Sequence, residues 1–250
     1  MKLRKKEYFY RLFATTILSA IITIAIFDLA LSFELVGWYN GASGYEFAIN
    51  EAQEKESPMI LFFNVDSDEI CERLKNEYLG VYNVIEFLND FPKVEINLGG
   101  EEFEKAIAEQ YGVEQDPALF VVFPSLEIEP KGFTPFLADR DMTVDEFIEN
   151  IRGIFILGYS DRAYEYFEEE DYENALKYLE MAKGFDSGRA YPYFAIGTVY
   201  HAIAIRENSP EYITKAEENY LKALEIDPDY KECKEELEKL RNDIHKIAVQ

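Results

Sequence analysis

The chain is short of the side chains that carry most recognisable chemistry. It holds two cysteines, two histidines, and 25 basic residues against 49 acidic ones in a length of 250. So few Cys and His leave little room for a zinc site. A formal charge of −24 argues against a nucleic-acid partner, because phosphate binding rests on Lys and Arg neutralising the backbone. No Walker loop, dinucleotide-binding glycine pattern, HExxH helix or Ser/His/Asp nucleophile signal occurs, so no cofactor and no metal are expected. Apolar residues are not scarce. At 48% of the chain, with 15% aromatic, they exclude a disordered acidic polymer and allow a real core.

The positive charge that exists is concentrated at the start. Residues 1–11 contain Lys2, Arg4, Lys5, Lys6 and Arg11 against Glu7, leaving 20 basic and 48 acidic side chains for the rest. From Leu12 to Phe33 the chain is apolar for 22 residues, with Asp28 its sole charge. That length crosses a hydrocarbon core as a helix. The basic flank places the N-terminus in the cytoplasm and everything after the span outside. A cleaved signal peptide is the rival reading, with small residues at Ala30-Leu31-Ser32 before Phe33. Against it, the uncharged stretch Leu12 to Phe27 already runs 16 residues, and Trp38 and Tyr39 read as interfacial anchors beyond the span. Either way the remainder is expected on the extracytoplasmic side.

After a linker over 34–43, residues 44–154 alternate between helical and strand patterns. Tyr45, Ala48, Ile49 and Ala52 fall at helical spacing, and Met59-Ile60-Leu61-Phe62-Phe63 reads as a strand covered on both faces. Asp66 or Ser67 is placed to cap a helix running to about Leu79. Lys93 to Asn97 reads as a strand, Glu101 to Tyr111 as a helix with Phe103, Ala106 and Ile107 inward, and Ala118 to Phe123 as another buried strand. Glu127 to Phe136 supplies an edge hairpin. Thr143, with Glu146 three residues on, forms a capping box for a final helix. The alternation argues for a layered α/β domain.

Pro58 to Leu74, with Cys71 within it, resembles the central strand and active-site helix of the thioredoxin fold, and Tyr111 to Phe123 resembles its cis-proline segment. The resemblance implies a cis peptide at Pro117 and a groove there for an extended peptide. It departs from the family at the dithiol. If Cys71 is the second cysteine of Cys-x-x-Cys, Asp68 stands in the place of the first, and no internal disulfide can form. Asp66, Asp68 and Glu69 also raise the pKa of a neighbouring thiol. Cys71 is read first as a buried structural thiol, then as a sensor thiol, then as a partner of Cys233. The same acids could ligate calcium, but helix capping is the favoured reading.

Residues 156–250 switch wholly to helical periodicity. Ala163, Tyr166, Ala175, Leu179 and Ala182 are followed 34 residues on by Tyr193, Ile196, Gly197 and Tyr200, then by Ala216, Tyr220, Ala223 and Pro228. This pattern resembles two tetratricopeptide repeats, with an insertion around Arg206 to Tyr212. The small residues let helices approach closely. Tyr230 to about Ala248 supplies a cap with Leu237, Leu240, Ile244 and Ile247 on one face, and the pair is expected to dock on the first domain or to dimerise. By repeat register the concave surface includes Tyr164, Phe167, Tyr191, Phe194, Thr198 and His201. The Lys, Arg and Asn that grip a peptide carboxylate in one variety of the family are missing there, so an apolar helix or peptide is the expected guest, unless these aromatics simply pack on the insertion or the last helix.

The sequence therefore predicts an α/β thioredoxin-like domain, an all-α tetratricopeptide-repeat domain and an N-terminal transmembrane helix. The expected role is a non-catalytic, membrane-held scaffold or assembly factor binding a protein or peptide, a second copy of itself included. The alternative is a thiol-disulfide oxidoreductase or redox chaperone acting through Cys71 alone.

Overall fold

The computed structural model describes residues 35–126 and 128–247, with side chains to 243. The basic flank 1–11, the span and cleavage site expected over 12–33, Glu127, and the side chains of Ile244, His245 and Ile247 lie outside the described residues. Among the described residues no helix is long and apolar enough to cross a membrane. The sheet and the helical repeats both lie in the second of the chain's two units, Gly37–Gln250.

The first half of this second unit is a five-stranded mixed sheet in the order β1-β3-β2-β4-β5. The strands are β1 (Tyr39–Asn40), β2 (Met59–Asn64), β3 (Lys93–Asn97), β4 (Ala118–Val122) and β5 (Lys131–Phe133). β3 runs parallel to β1 and β2, and β4 is antiparallel to both β2 and β5. β2 is buried at every position, which is why it reads as an unbroken apolar run rather than an alternation. Met59, Leu61 and Phe63 face a cluster completed by Ala48 and Ala52 of α1 (Gly41–Glu54) and by Ile107 and Ala108 of α4 (Glu102–Gln110).

Four local expectations are corrected. Trp38 is folded onto the sheet, its ring edge-on to Phe62 at 6.4 Å, and β1 and the start of α1 occupy the segment expected as a linker. In α4, Phe103 is 74% exposed and Ala106 is exposed too. The inward face runs through Ile107, as expected, with Ala108 and Tyr111, and Glu104 closes a capping box with Glu101 at the start of the helix. The cap of α2 (Glu69–Arg73) is Asp68 rather than Asp66 or Ser67. Finally, the described residues contain no cis peptide, so the bond before Pro117 is trans. Trans is the form an X-Pro bond favours when nothing overrides it. Past α2 the helix widens into a π-helical stretch, Leu74–Leu79, followed by α3 (Tyr82–Phe87), too short to leave a periodicity.

The second half is helical: α5 (Val144–Glu168), α6 (Tyr172–Phe185), α7 (Ala190–Glu207), α8 (Pro210–Ile226) and α9 (Lys231–Ile247). Thr143 and Glu146 form the reciprocal capping box at the start of α5. That helix then runs 25 residues without a break, through the position where the sequence puts a junction between domains. The insertion is absorbed into the end of α7 and the start of α8, leaving Asn208, in the left-handed region at φ 52°, and Ser209 to make the turn. The small residues all lie at helix contacts. Ala163, Ala175, Ala182, Ala216 and Ala223 are buried, and a β-carbon on Gly197 would come within 2.7 Å of the Tyr220 ring.

α5 belongs to both halves. Phe133 of β5 meets Phe147 at 5.7 Å, and Phe91, between α3 and β3, meets Phe155 at 4.8 Å. Phe155 in turn lies 5.1 Å from Phe185 of α6. Gly158 lets the helix settle on Phe123, whose ring fills the space a β-carbon would need. The repeats thus dock on the sheet, as two units too few to stand alone require.

Candidate functional site

Two places are candidates: the helix start that carries Cys71, and the concave face of the repeats. At the first, the Asp68 carboxylate accepts hydrogen bonds from the backbone N–H groups of Ile70 at 2.8 Å and Cys71 at 3.0 Å. Asp66 accepts from Asn97 at 2.9 Å and from Asn64 at 3.4 Å. Both acids therefore serve the fold, and among the described residues no group of three or more His, Cys, Asp or Glu is arranged to hold a metal.

Cys71 is 1% exposed. Its sulfur accepts the Val65 N–H at 3.1 Å, which favours the thiolate, but burial outweighs this and Asp68 adds to it, so the pKa is pushed up to about 11. A thiol so placed is neither accessible nor ionised near neutrality, the opposite of a nucleophilic cysteine. Cys233 is likewise buried, with its pKa pushed up to about 11 by burial, and its S–H points to the Tyr220 carbonyl oxygen at 3.3 Å. Both thiols are free, so the pairing of Cys71 with Cys233 is set aside. Pro117 sits just before β4, whose Ala118 already pairs with Phe63, and the trans bond there removes the one feature on which the expected peptide groove depended.

The second place brings together all six residues that repeat register put on the concave face. Tyr164 and Phe167 of α5 and Tyr191, Phe194 and Thr198 of α7 line a trough of about 280 Å³, reached from α9 by Glu236. Phe167, Thr198 and Glu236 continue into a second chamber of about 550 Å³ that contains His201. The aromatics are not equivalent. Phe194 packs at a tilt against Tyr230 at 5.0 Å and Tyr220 at 6.0 Å, and Phe167 lies 5.7 Å from Tyr172, so these two are partly committed to packing. Tyr164 and Tyr191 stay 62% and 44% exposed. Burial of the Tyr191 phenol, and then the charge of Asp161, raise its pKa and keep it protonated.

Polar groups inside the trough are unevenly satisfied. Thr198 donates to the Phe194 carbonyl at 3.1 Å and accepts from the Tyr220 hydroxyl at 3.4 Å. Ser160 is 4% exposed, yet its hydroxyl has no hydrogen-bond partner. His201 is 7% exposed, with its Nε2 3.4 Å from Asp243 but in no hydrogen bond. Sequence reasoning missed Ser160, Glu236 and Asp243. Ser160 lies one turn before Tyr164 on the same helix, a signal the register could have given. The α9 residues owe their position to how that helix crosses the end of the stack.

No family model matches the chain, and no curated protein matches it. Solved structures do. The first tetratricopeptide domain of Spaghetti (RPAP3), bound to an HSP90 peptide, shares 20% identity at a TM-score of 0.31 over 36% of this chain. The match spans 66% of that domain, less than two thirds of its length. A thioredoxin from Thermus thermophilus shares 18% identity over 50% of this chain and 91% of its own, at a TM-score of 0.39. The C-terminal domain of DsbD from Neisseria meningitidis, in the oxidised form, shares 20% over 47% and 98% at 0.36. The neighbours thus include thioredoxin-like domains and a tetratricopeptide domain.

Proposed function

We infer that the chain is a non-catalytic, membrane-anchored scaffold that holds a protein or peptide partner, a second copy of itself included, on the extracytoplasmic side. The observation that carries this reading is the trough between α5, α7 and α9. Two tyrosines stand exposed there beside a buried hydroxyl with no partner, in a chain whose thiols are both buried. Soluble proteins seldom leave large aromatics exposed together in a concavity unless something docks there. The basic flank and the 22-residue apolar stretch support the anchor and its orientation. The burial and raised pKa of Cys71 weigh against an oxidoreductase.

The test is affinity capture from solubilised membranes, comparing the natural chain with Ala195→Trp, which fills the trough, and with Cys71→Ser. Removing the repeats wholesale is the wrong comparison, because α5 is shared with the sheet half. Loss of the same companions from Ala195→Trp and from a second variant, Tyr191→Ser, with full retention by Cys71→Ser, is the expected result. Companions that persist in both trough variants, or that depend on Cys71, would overturn the reading.

A further inference from the structure

Resting on the reading of residues 12–33 as a membrane span, we propose that the β1 edge of the sheet lies on the surface of a net-neutral lipid bilayer, with the stacked rings of Tyr39 and Phe47 seated among the headgroups. Trp38 packs on Phe62, so only residues 34–37 separate the apolar stretch from the sheet. The steps from Phe33 to Trp38 reach about 18 Å at full extension, which keeps this edge beside the bilayer. β1 is an edge strand, and β5 closes the opposite edge, about 19 Å farther along the sheet at the usual strand spacing.

What this edge presents suits that place. The Tyr39 and Phe47 rings stack at 6.3 Å with 25° between their planes, and the residues stay 38% and 64% exposed. Trp38 is turned into the sheet, so the partner of Tyr39 comes from α1 rather than from its chain neighbour. Gly44 lets α1 sit against the strand, because a β-carbon there would come within 3.0 Å of Tyr39. Single exposed aromatics are ordinary on any surface. A stacked pair within short reach of a span is placed where aromatic side chains anchor proteins at the membrane interface. The Tyr39 hydroxyl donates to Glu51 at 3.0 Å, and Lys55 pairs with the same carboxylate at 2.6 Å, so the polar rim of the patch is satisfied internally. Glu46, exposed beside Phe47, sets the depth at the headgroups, since a charge is costly in hydrocarbon. After residue 11 the chain carries 48 acidic and 20 basic side chains, which an anionic leaflet repels, and this selects net-neutral lipid.

The test places a nitroxide spin label at Phe47→Cys in the full chain, reconstituted in zwitterionic vesicles. The natural thiols do not compete for the label, since Cys71 and Cys233 are 1% and 0% exposed with pKa values pushed up to about 11. A second label at Asn40→Cys, exposed on β1, leaves both rings in place, and Leu221→Cys, exposed on α8 of the repeat half, is the reference. Collision of each label with dissolved oxygen, which concentrates in lipid, is compared with its collision with a water-soluble nickel chelate. The oxygen-to-nickel ratio is expected to be roughly threefold or more higher at 40 and 47 than at 221, as for a side chain at the headgroup boundary. Flotation with the vesicles is measured on the same samples. A chain that floats but gives equal ratios at all three positions overturns this inference and leaves the span standing. Low collision with both oxygen and nickel at 47 means that protein covers the rings, a second copy included, and overturns it too. A chain that does not float removes the span and the inference together.

Discussion

The Tyr159 hydroxyl donates to the main-chain carbonyl oxygen of Glu56 at 2.7 Å, joining residues 103 apart in the chain. Lys177 reaches the side chain of the same Glu56 at 2.8 Å, so one turn of the sheet half is held by two helices of the repeat half. With the ring contacts among Phe91, Phe155 and Phe185, these bonds fix the rotation of α5 about its own axis. That rotation decides which face of α5 meets the sheet and which presents Tyr164 and Phe167 to the trough. The sheet half thereby acts as the mount for the site on the repeats.

Gly158→Ala tests this mount. A β-carbon at 158 collides with the Phe123 ring, and the ring is hemmed in by Tyr159 at 5.7 Å, so α5 must shift or the ring must leave its place. Overpacking of this kind costs about 1–3 kcal/mol. Thermal unfolding followed by circular dichroism should show a melting temperature lower by several degrees. An unchanged value would mean that α5 is not seated on Phe123.

The ion pair of Lys75 and Glu95, at 2.7 Å with side chains 12% and 13% exposed, gives a second prediction. Glu95→Ala leaves a cation over the Phe62 ring with its partner gone and should cost about 3 kcal/mol or more in urea unfolding. The double variant Lys75→Met with Glu95→Leu removes both charges and should recover most of that loss. A double variant as unstable as the single one would contradict this.

The two thiols make stability depend on alkaline pH. Each has a folded pKa of about 11 against an ordinary value of 9.0. A raised folded pKa means the native state holds its proton longer than the unfolded chain. The associated stability is complete below pH 9 and is lost as pH climbs from 9 to 11. Urea unfolding across that window should fall more steeply for the natural chain than for a Cys71→Ala, Cys233→Ala variant. Buried tyrosines contribute with the same sign in both proteins, so the difference between the curves reports the thiols. Parallel curves would refute the assignment.

Tyr164→Ser, at a residue 62% exposed, should move the unfolding free energy by less than about 1 kcal/mol. Tyr159→Phe, by contrast, should cost about 1–2 kcal/mol by orphaning the Glu56 carbonyl. Reversed magnitudes would mean that the trough tyrosines hold the fold rather than await a guest.

Much of this architecture was legible in the residues themselves. β2 and β3 stand where their apolar runs stop, and the Thr143–Glu146 box starts α5 as written. Of the six positions that repeat register put on the concave face, Tyr164, Phe167, Tyr191, Phe194 and Thr198 line one trough and His201 lines the adjoining chamber. The burial of Cys71 was legible from its place one turn into a helix. What sequence missed has physical causes. The continuity of α5 was hidden because a helix buried by the sheet at one end and by other helices at its far end changes its apolar face midway. Phe103 was assigned inward because periodicity alone cannot tell which of two neighbouring apolar positions faces the sheet when the helix also buries Ile107 and Ala108. Pro117 was assigned cis on a resemblance alone, and the geometry of a single peptide bond follows its immediate packing.

The central claim is that the face carrying Tyr164 and Tyr191 is where a partner sits. Photo-crosslinking tests it most directly, with a light-activated phenylalanine analogue placed at 164 in the full chain in native membranes, and the same analogue at Tyr82, 72% exposed on the sheet half, as reference. The account predicts a discrete crosslinked product from position 164 that Ala195→Trp removes, and none of that product from position 82. Crosslinks of equal yield at both positions, or a product at 82 alone, would contradict it.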